Sequence, residues 1–421
     1  MMMPGQGYAP LAAGLLALAT AACAGSPSGL DRVPATAWTQ VSAGHEYSCG
    51  ITEDQVAYCW ANRPWTDLPY DTLAERLEAK RVPGIGPVRN VAVGSASSCA
   101  ESVAGGTFCW GLNALGQLGI GSFETHVALP VGMAGGQALR SVQLAESYGC
   151  GLDAEGRAYC WGRDHTGLEP GAVQPCPGYP DARCAPSPAA VPGGLRFTAI
   201  SSANYHTCAL TGSREAFCWG LNGDGSFGNG TDADSRTPVR AAGELRLSAV
   251  AAGEQFTCGL DAAGKAYCWG NNNDGQLGSP LRPEQRDPRC DYGPCSLAPV
   301  PVAGGHRFVA LAAGGEHACA ISTTQRLYCW GSNFSQQLAD ERAGRDRCGY
   351  YNHVPCSRRP VPVLRHLRFR AVSAGENRTC AITTAGNLFC WGGASPRLGP
   401  SIPPVDGSPR RIQPAAASGA S

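Results

Sequence analysis

Lysine is almost missing from this chain: in 421 residues it occurs only at Lys80 and Lys265. Bases and acids balance at 33 each, so the formal net charge is zero. No basic face for phosphate backbones is evident, pairs such as Arg358-Arg359 read as solvated loop charges, and no nucleic-acid partner is expected. Long helical periodicity is nearly absent, and the apolar run Leu11–Ala19 is too short to span a bilayer. The sequence has no Gly-x-Ser-x-Gly elbow, phosphate-binding loop or His-Glu-x-x-His. It is therefore not expected to be an enzyme, and nothing in it calls for a cofactor or a metal. His206 and His317 each precede a strand cysteine by two positions, where other copies of the same pattern carry Tyr47, Ser97, Tyr148, Phe256 or Arg378. That alternation of residue types implies packing rather than metal ligation. Cys290-x4-Cys295 has no second pair close enough to complete a zinc site.

Glycine (56), proline (32) and cysteine (21) are plentiful. Seven times a Cys-Trp dipeptide closes the same pattern, at Cys59, Cys109, Cys160, Cys218, Cys268, Cys329 and Cys390. Each has a cysteine ten positions upstream: Cys49, Cys99, Cys150, Cys208, Cys258, Cys319 and Cys380. Between them lie turn residues such as Asp261-Ala262-Ala263-Gly264, which suit a type I turn followed by a left-handed glycine. With a three-residue loop at 262–264, residues 261 and 265 face each other, and so do 258 and 268. Opposed residues of a non-hydrogen-bonded pair lie about 4.5 Å apart at Cα, within disulfide range. Seven cross-strand disulfides follow. Thr323-Thr324-Gln325 lacks the glycine, so that turn should be strained or differently shaped.

Six further cysteines form three close pairs, Cys176 with Cys184, Cys290 with Cys295 and Cys348 with Cys356, leaving Cys23 alone. Twenty paired thiols imply an oxidising, extracytoplasmic compartment. Residues 1–22 read as a secretory signal peptide. Thr20-Ala21-Ala22-Cys23 resembles the lipobox of bacterial lipoproteins, which implies lipidation at Cys23 and a cell-envelope location; plain secretion is the alternative. Residues 23–37 are then a flexible lipid-anchored linker, 38–414 the body, and 415–421 a disordered tail. Membrane contact is expected only through the N-terminal lipid. The Cys-Trp intervals are 50, 51, 58, 50, 61 and 61 residues, and the three long ones contain the extra cysteine pairs. Asp71–Arg81 has the look of a short helix inserted in the first repeat.

Val250-Ala-Ala-Gly253, Tyr267-Cys-Trp-Gly270, Gly275-Gln-Leu-Gly278 and Ala114-Leu-Gly-Gln-Leu-Gly119 together resemble the repeat of the regulator of chromosome condensation family. The resemblance runs from about Trp38 to Gly399 and implies an all-β, seven-bladed β-propeller. The cysteines resemble a Cys-rich extracytoplasmic branch, and the fold is one also used by the secreted β-lactamase inhibitory protein II. Nucleotide exchange on a small GTPase, which the resemblance also implies, fits poorly with a signal sequence and disulfides.

With four antiparallel strands A to D per blade, the A–B and C–D connections emerge on one face and the B–C hairpins and D-to-A crossings on the other. Glu254, Glu316 and Glu376, with Asn204 in the comparable turn, are the candidate binding residues on the first face. Asn113, Asn222, Asn272 and Asn333 should satisfy loop backbone groups there. The expected function is a monomeric, surface-displayed module that binds a protein or glycan. The alternative is a hydrolase or lyase using loop carboxylates over the channel.

Overall fold

In every repeat the cysteines and the tryptophan occupy adjacent strand positions, and adjacent positions face opposite sides of a sheet. A sheet built this way must bury both faces, so it needs a neighbour on each side. A computed structural model describes residues 36–45, 47–61, 79–164, 168, 170–281, 289–290, 293–339, 346–349, 353–393 and 409–413. Across them, seven antiparallel sheets follow in chain order as the blades of a propeller. In blade five, strands A to D are Leu247–Ala252, Phe256–Asp261, Ala266–Asn271 and Cys295–Pro301. The one helical element among the described residues is a 3-10 turn at Pro170–Ala172.

Cys258 lies opposite Cys268 in the B–C ladder with Cα atoms 4.0 Å apart, and the six sister pairs lie at 4.1 Å. Each blade thus carries its own cross-strand disulfide. The turn forms as its residues suggest: Asp261 N–H donates to Lys265 O (3.0 Å), and Asp261 Oδ1 accepts from Ala263 N and Lys265 N, both at 2.9 Å. Gln325 keeps the same turn and is strained, at φ 61°.

Seven hydrophobic clusters fill the seven blade interfaces. In one, Phe256, Cys258, Cys268 and Leu277 of blade five pack on Ala318, Ala320 and Trp330 of blade six. The cysteines therefore face the next blade and the tryptophan faces the previous one. Trp161, Trp269, Trp330 and Trp391 donate their indole N–H to Gln117, Ser226, Gln276 and Gln337 carbonyls in the C–D loop of the preceding blade, at 2.8–2.9 Å. Those loops are fixed by the expected asparagines. Asn113, Asn222, Asn272 and Asn333 accept from the amides of Leu118, Phe227, Leu277 and Leu338, whose side chains are fully buried between blades. A buried tryptophan contributes about 4–6 kcal/mol of transfer free energy.

Blade seven closes on blade one without exchanging strands. Arg410–Ile412 is blade seven's own D strand, and blade one is complete from Trp38 to Arg81. Trp38 N donates to Gly386 O (3.0 Å), its indole donates to Ile412 O (3.3 Å), and Ala43 N donates to Ser373 Oγ (3.0 Å).

Two readings of the loops change. Lys80–Arg81, the end of the expected helix, is blade one's D strand, paired with Tyr58 and Cys59, because strand C would otherwise lose its outer partner; residues 71–78 lie outside the described residues. The pairs Cys176–Cys184 and Cys348–Cys356 do more than close loops. Gln174–Cys176 and Asp346–Cys348 each add a fifth, outer strand to blades three and six, and each disulfide ties that strand to strand D. Cys290 and Cys295 are joined where blade five's D strand begins. Cys23 lies outside the described residues, as do 1–22 and 415–421.

Candidate functional site

The seven A strands line a central channel whose cavity measures about 360 Å³. Its wall is polar at Gln40, Asn90 and Gln143 and at the serines Ser42, Ser201 and Ser373. Each serine Oγ accepts the amide of the next blade's A strand: Val93 for Ser42, Ala252 for Ser201 and Ala43 for Ser373, all at 3.0 Å. The wall is thus stiffened by bonds that run around the ring. Glu101 is buried behind it, accepting from Asn90 Nδ2 at 2.6 Å and Val142 N at 2.9 Å.

At the face carrying the A–B turns the channel opens into a second cavity of about 100 Å³. The residue four before each first cysteine lies at this mouth. Counted around the ring these are His45, Ser95, Glu146, Asn204, Glu254, Gly315 and Glu376; all but Glu146 line the cavity. The turns are tight because the Cys-Trp-Gly glycine sits beneath them. Gly270 has φ +98°, and a Cβ there would come within 2.6 Å of Gln255 O.

Two side-chain bridges cross the blades at the mouth. His45 Nδ1 lies 3.3 Å from Glu376 Oε2 and 3.4 Å from Ser95 Oγ, joining blades seven, one and two. Asn204 accepts from Glu146 N (3.1 Å) and reaches Glu254 Oε1 with its Nδ2 (3.5 Å), joining blades three, four and five. Burial pushes the Glu254 carboxyl above its usual range, the Asn204 hydrogen bond opposes this, and the Glu146 charge adds to it. Tyr205, next to Asn204, is raised by burial and then by the carboxylates of Glu254, Glu146 and Glu376. Tyr205 is 37% exposed beside Leu221, 38% exposed, whose amide donates to the Tyr205 carbonyl. The mouth is therefore acidic, with an apolar shoulder on blade four.

Of the residues singled out from sequence, Glu254, Glu376 and Asn204 meet at this mouth. Glu316 does not: Gly315 occupies its place, and Glu316 is exposed one position farther along. Blade six approaches blade seven too closely for a side chain here. Gly315 N donates to Glu376 O (3.1 Å), and a Cβ on Gly315 would lie 2.7 Å from that oxygen. His45, Ser95, Glu146 and Tyr205 were not singled out from sequence. Counting back four positions from the first cysteine of each repeat finds the first three. His206 and His317 lie in the seams, fully buried, with Nε2 2.7 Å from Thr257 Oγ1 and 2.8 Å from Thr379 Oγ1. Among the described residues no group of three or more His, Cys, Asp or Glu is arranged to hold a metal ion.

Models of the regulator of chromosome condensation (RCC1) repeat match residues 197–226, 248–276, 308–337 and 369–395, and in a second form 215–260 and 263–321. The chain is 27% identical to the ultraviolet-B receptor UVR8 of Arabidopsis thaliana over 205 residues, which is 47% of this chain and 44% of the receptor. It spans less than half the length of that relative. The chain is 25% identical to the mitochondrial RCC1 domain-containing protein RUG3 of Arabidopsis thaliana over 92% of this chain and 73% of that protein. Among solved structures, Prp20p from Saccharomyces cerevisiae superposes with a TM-score of 0.68 at 19% identity, covering 89% of each chain. Human WBSCR16 superposes with a TM-score of 0.66 at 16% identity, covering 82% of this chain and 87% of the other.

Proposed function

We propose that this seven-bladed propeller, which matches the regulator of chromosome condensation repeat within residues 197–395, is a non-enzymatic, extracytoplasmic module that grips a protein through the channel mouth. The observation that carries this reading is the mouth itself. Glu254 and Glu376 line a small opening with Glu146 at its rim, held by bridges between blades, beside the exposed Tyr205 and Leu221. A rigid acidic ring flanked by an aromatic anchor suits a protruding loop with a basic tip. A small-molecule site would be a larger, more apolar cavity.

The relatives support a binding role. The Prp20p structure was described with that protein's binding properties to Gsp1p and histones. The E3 ubiquitin-protein ligase HERC2 of Homo sapiens is 35% identical over 95 residues, but this is 2% of that protein, so its ligase activity gives no guide here. Ten disulfides fit an oxidising compartment. Cys23 is the proposed point of attachment to the cell envelope, and the folded chain is proposed to act as a monomer. The raised Glu254 carboxyl beside Glu146 favours a second reading, a hydrolase or lyase.

The test is crosslinking capture from envelope extract, with the wild type beside Glu254→Gln and Tyr205→Ala. A single protein retained by wild type, and weakened about tenfold or more by each change, supports the module. Turnover of a glycan or ester panel that Glu254→Gln abolishes would replace it with the enzyme.

A further inference from the structure

The opposite face of the propeller collects arginines that lie far apart in sequence. Arg307 and Arg368 stand on D-to-A connections at equivalent places in blades six and seven. Their carbonyls accept from Thr323 N and Thr384 N of the adjoining B–C turns, both at 2.9 Å. Arg365 lies on the same connection as Arg368, Arg326 ends blade six's B–C turn, and Arg370 opens blade seven's A strand. Arg307, Arg365, Arg368 and Arg370 are exposed and Arg326 is half-buried. The stretches that build this face of the two blades, 301–308, 322–327, 363–371 and 383–388, contain no aspartate or glutamate.

Blades three and four show the contrast. On the same face Arg157 is paired with Asp153 and Glu155, and Arg240 and Arg246 share Glu215, with Glu244 also on Arg240. None of the five arginines of blades six and seven is in an ion pair among the described residues. Three use a guanidinium nitrogen on a backbone carbonyl, Arg326 on Arg365, Arg370 on Trp38 and, at 3.5 Å, Arg368 on Leu367. The acids that flank the patch are Glu53 and Asp54 in blade one and Asp261 in blade five, the last engaged by its own turn amides. Val309, 63% exposed, stands two residues from Arg307. The described chain also starts on this face, where Trp38 N meets Gly386 O and the Arg370 guanidinium meets the Trp38 carbonyl.

We propose that this basic face of blades six and seven docks on an anionic phospholipid surface and turns the acidic mouth outward. This contact is separate from the proposed anchor at Cys23 and does not rest on it. Guanidinium groups bind phosphate in a bidentate manner, and several basic side chains with an apolar neighbour make an interfacial surface. Membrane contact was expected only through the lipid; the patch supplies a second contact that does not need it.

The experiment uses the full chain carrying Cys23→Ser, with vesicles of phosphatidylcholine alone or mixed with phosphatidylglycerol. Binding to the mixed vesicles that falls with added salt is expected. Arg307→Gln, Arg365→Gln and Arg368→Gln together should weaken it about 100-fold. Arg183→Gln with Arg236→Gln, beside the C–D loops, should leave it unchanged, and calorimetry should show every variant folded. Equal binding by the triple variant, or to neutral vesicles, would overturn the proposal. So would tight binding to a soluble polyanion in the absence of vesicle binding. Mass analysis of the wild-type N-terminal peptide reports the anchor separately, so either reading can fail alone.

Discussion

Gln325 has φ 61° where Gly156, Gly264 and Gly386 occupy the equivalent turn position with φ near +80°. A side chain there costs about 1 kcal/mol that glycine avoids. Gln325→Gly should therefore raise unfolding free energy by about 0.5–1 kcal/mol in a denaturant titration with disulfides intact, and Gly264→Ala should lower it by about 1–2 kcal/mol. The seam histidines give a pH signature. Thr257 Oγ1 donates to Ser226 O and Thr379 Oγ1 to Gln337 O, so each must accept from its histidine, placing the proton on Nε2. Burial pulls the His206 pKa down to about 4 and that of His317 to about 3. The unfolded chain takes up these protons near pH 6.5, and the folded one does not until the lower values. Stability is thus complete above about pH 6.5 and falls on acidification toward pH 4, at up to about 1.4 kcal/mol per pH unit for each histidine. Thermal melts from pH 7 to 4 check this, and His206→Gln with His317→Gln should flatten the slope.

At the scale of the element, the hairpin disulfide and the tryptophan on its other side make each blade a two-faced wedge. Replacing Cys258 and Cys268 together with alanine should cost about 2–3 kcal/mol by the chain-entropy argument. The loss should be largest at the seam with blade six, because both sulfurs lie in that cluster. Hydrogen exchange of strands Phe308–Ala313 and His317–Ser322 reads it locally. Peptide mapping without reduction should find Cys258 joined to Cys268; links between blades would refute the wedge. The spacing of ten was legible because a strand pair with a fixed loop has one register. The fifth strands of blades three and six were not, since a cysteine pair eight residues apart fits a loop staple as well as an added ladder.

The propeller is a ring whose closure, among the described residues, uses no disulfide and no exchanged strand. Blade seven meets blade one through Trp38, the Ala43–Ser373 bond and one apolar cluster. Ser373→Ala should lower stability by about 1 kcal/mol. Faster amide exchange at Ala43 than at Val93 or Ala252, which keep their serines, would show that the seam opens first. The ring also sorts charge. Carboxylates at the A–B turns converge on the mouth while arginines of blades six and seven gather on the far side, so a neutral chain acquires two faces of opposite sign.

The sequence by itself determined the number of blades, the hairpin register, the disulfide partners within them and the roles of the loop asparagines. All are local relations, fixed by strand alternation and by turn residues within one repeat. Only the tertiary structure decided which turn residues meet. Glu146 and Glu254 lie 108 positions apart and share Asn204 because three blades converge there. Glu316 is excluded by a backbone from the next blade that its own repeat does not contain. Arg307 and Arg368, 61 positions apart, share one face for the same reason. Pairing within a blade follows from short-range geometry, whereas a site made across blades depends on the angle at which separate wedges pack.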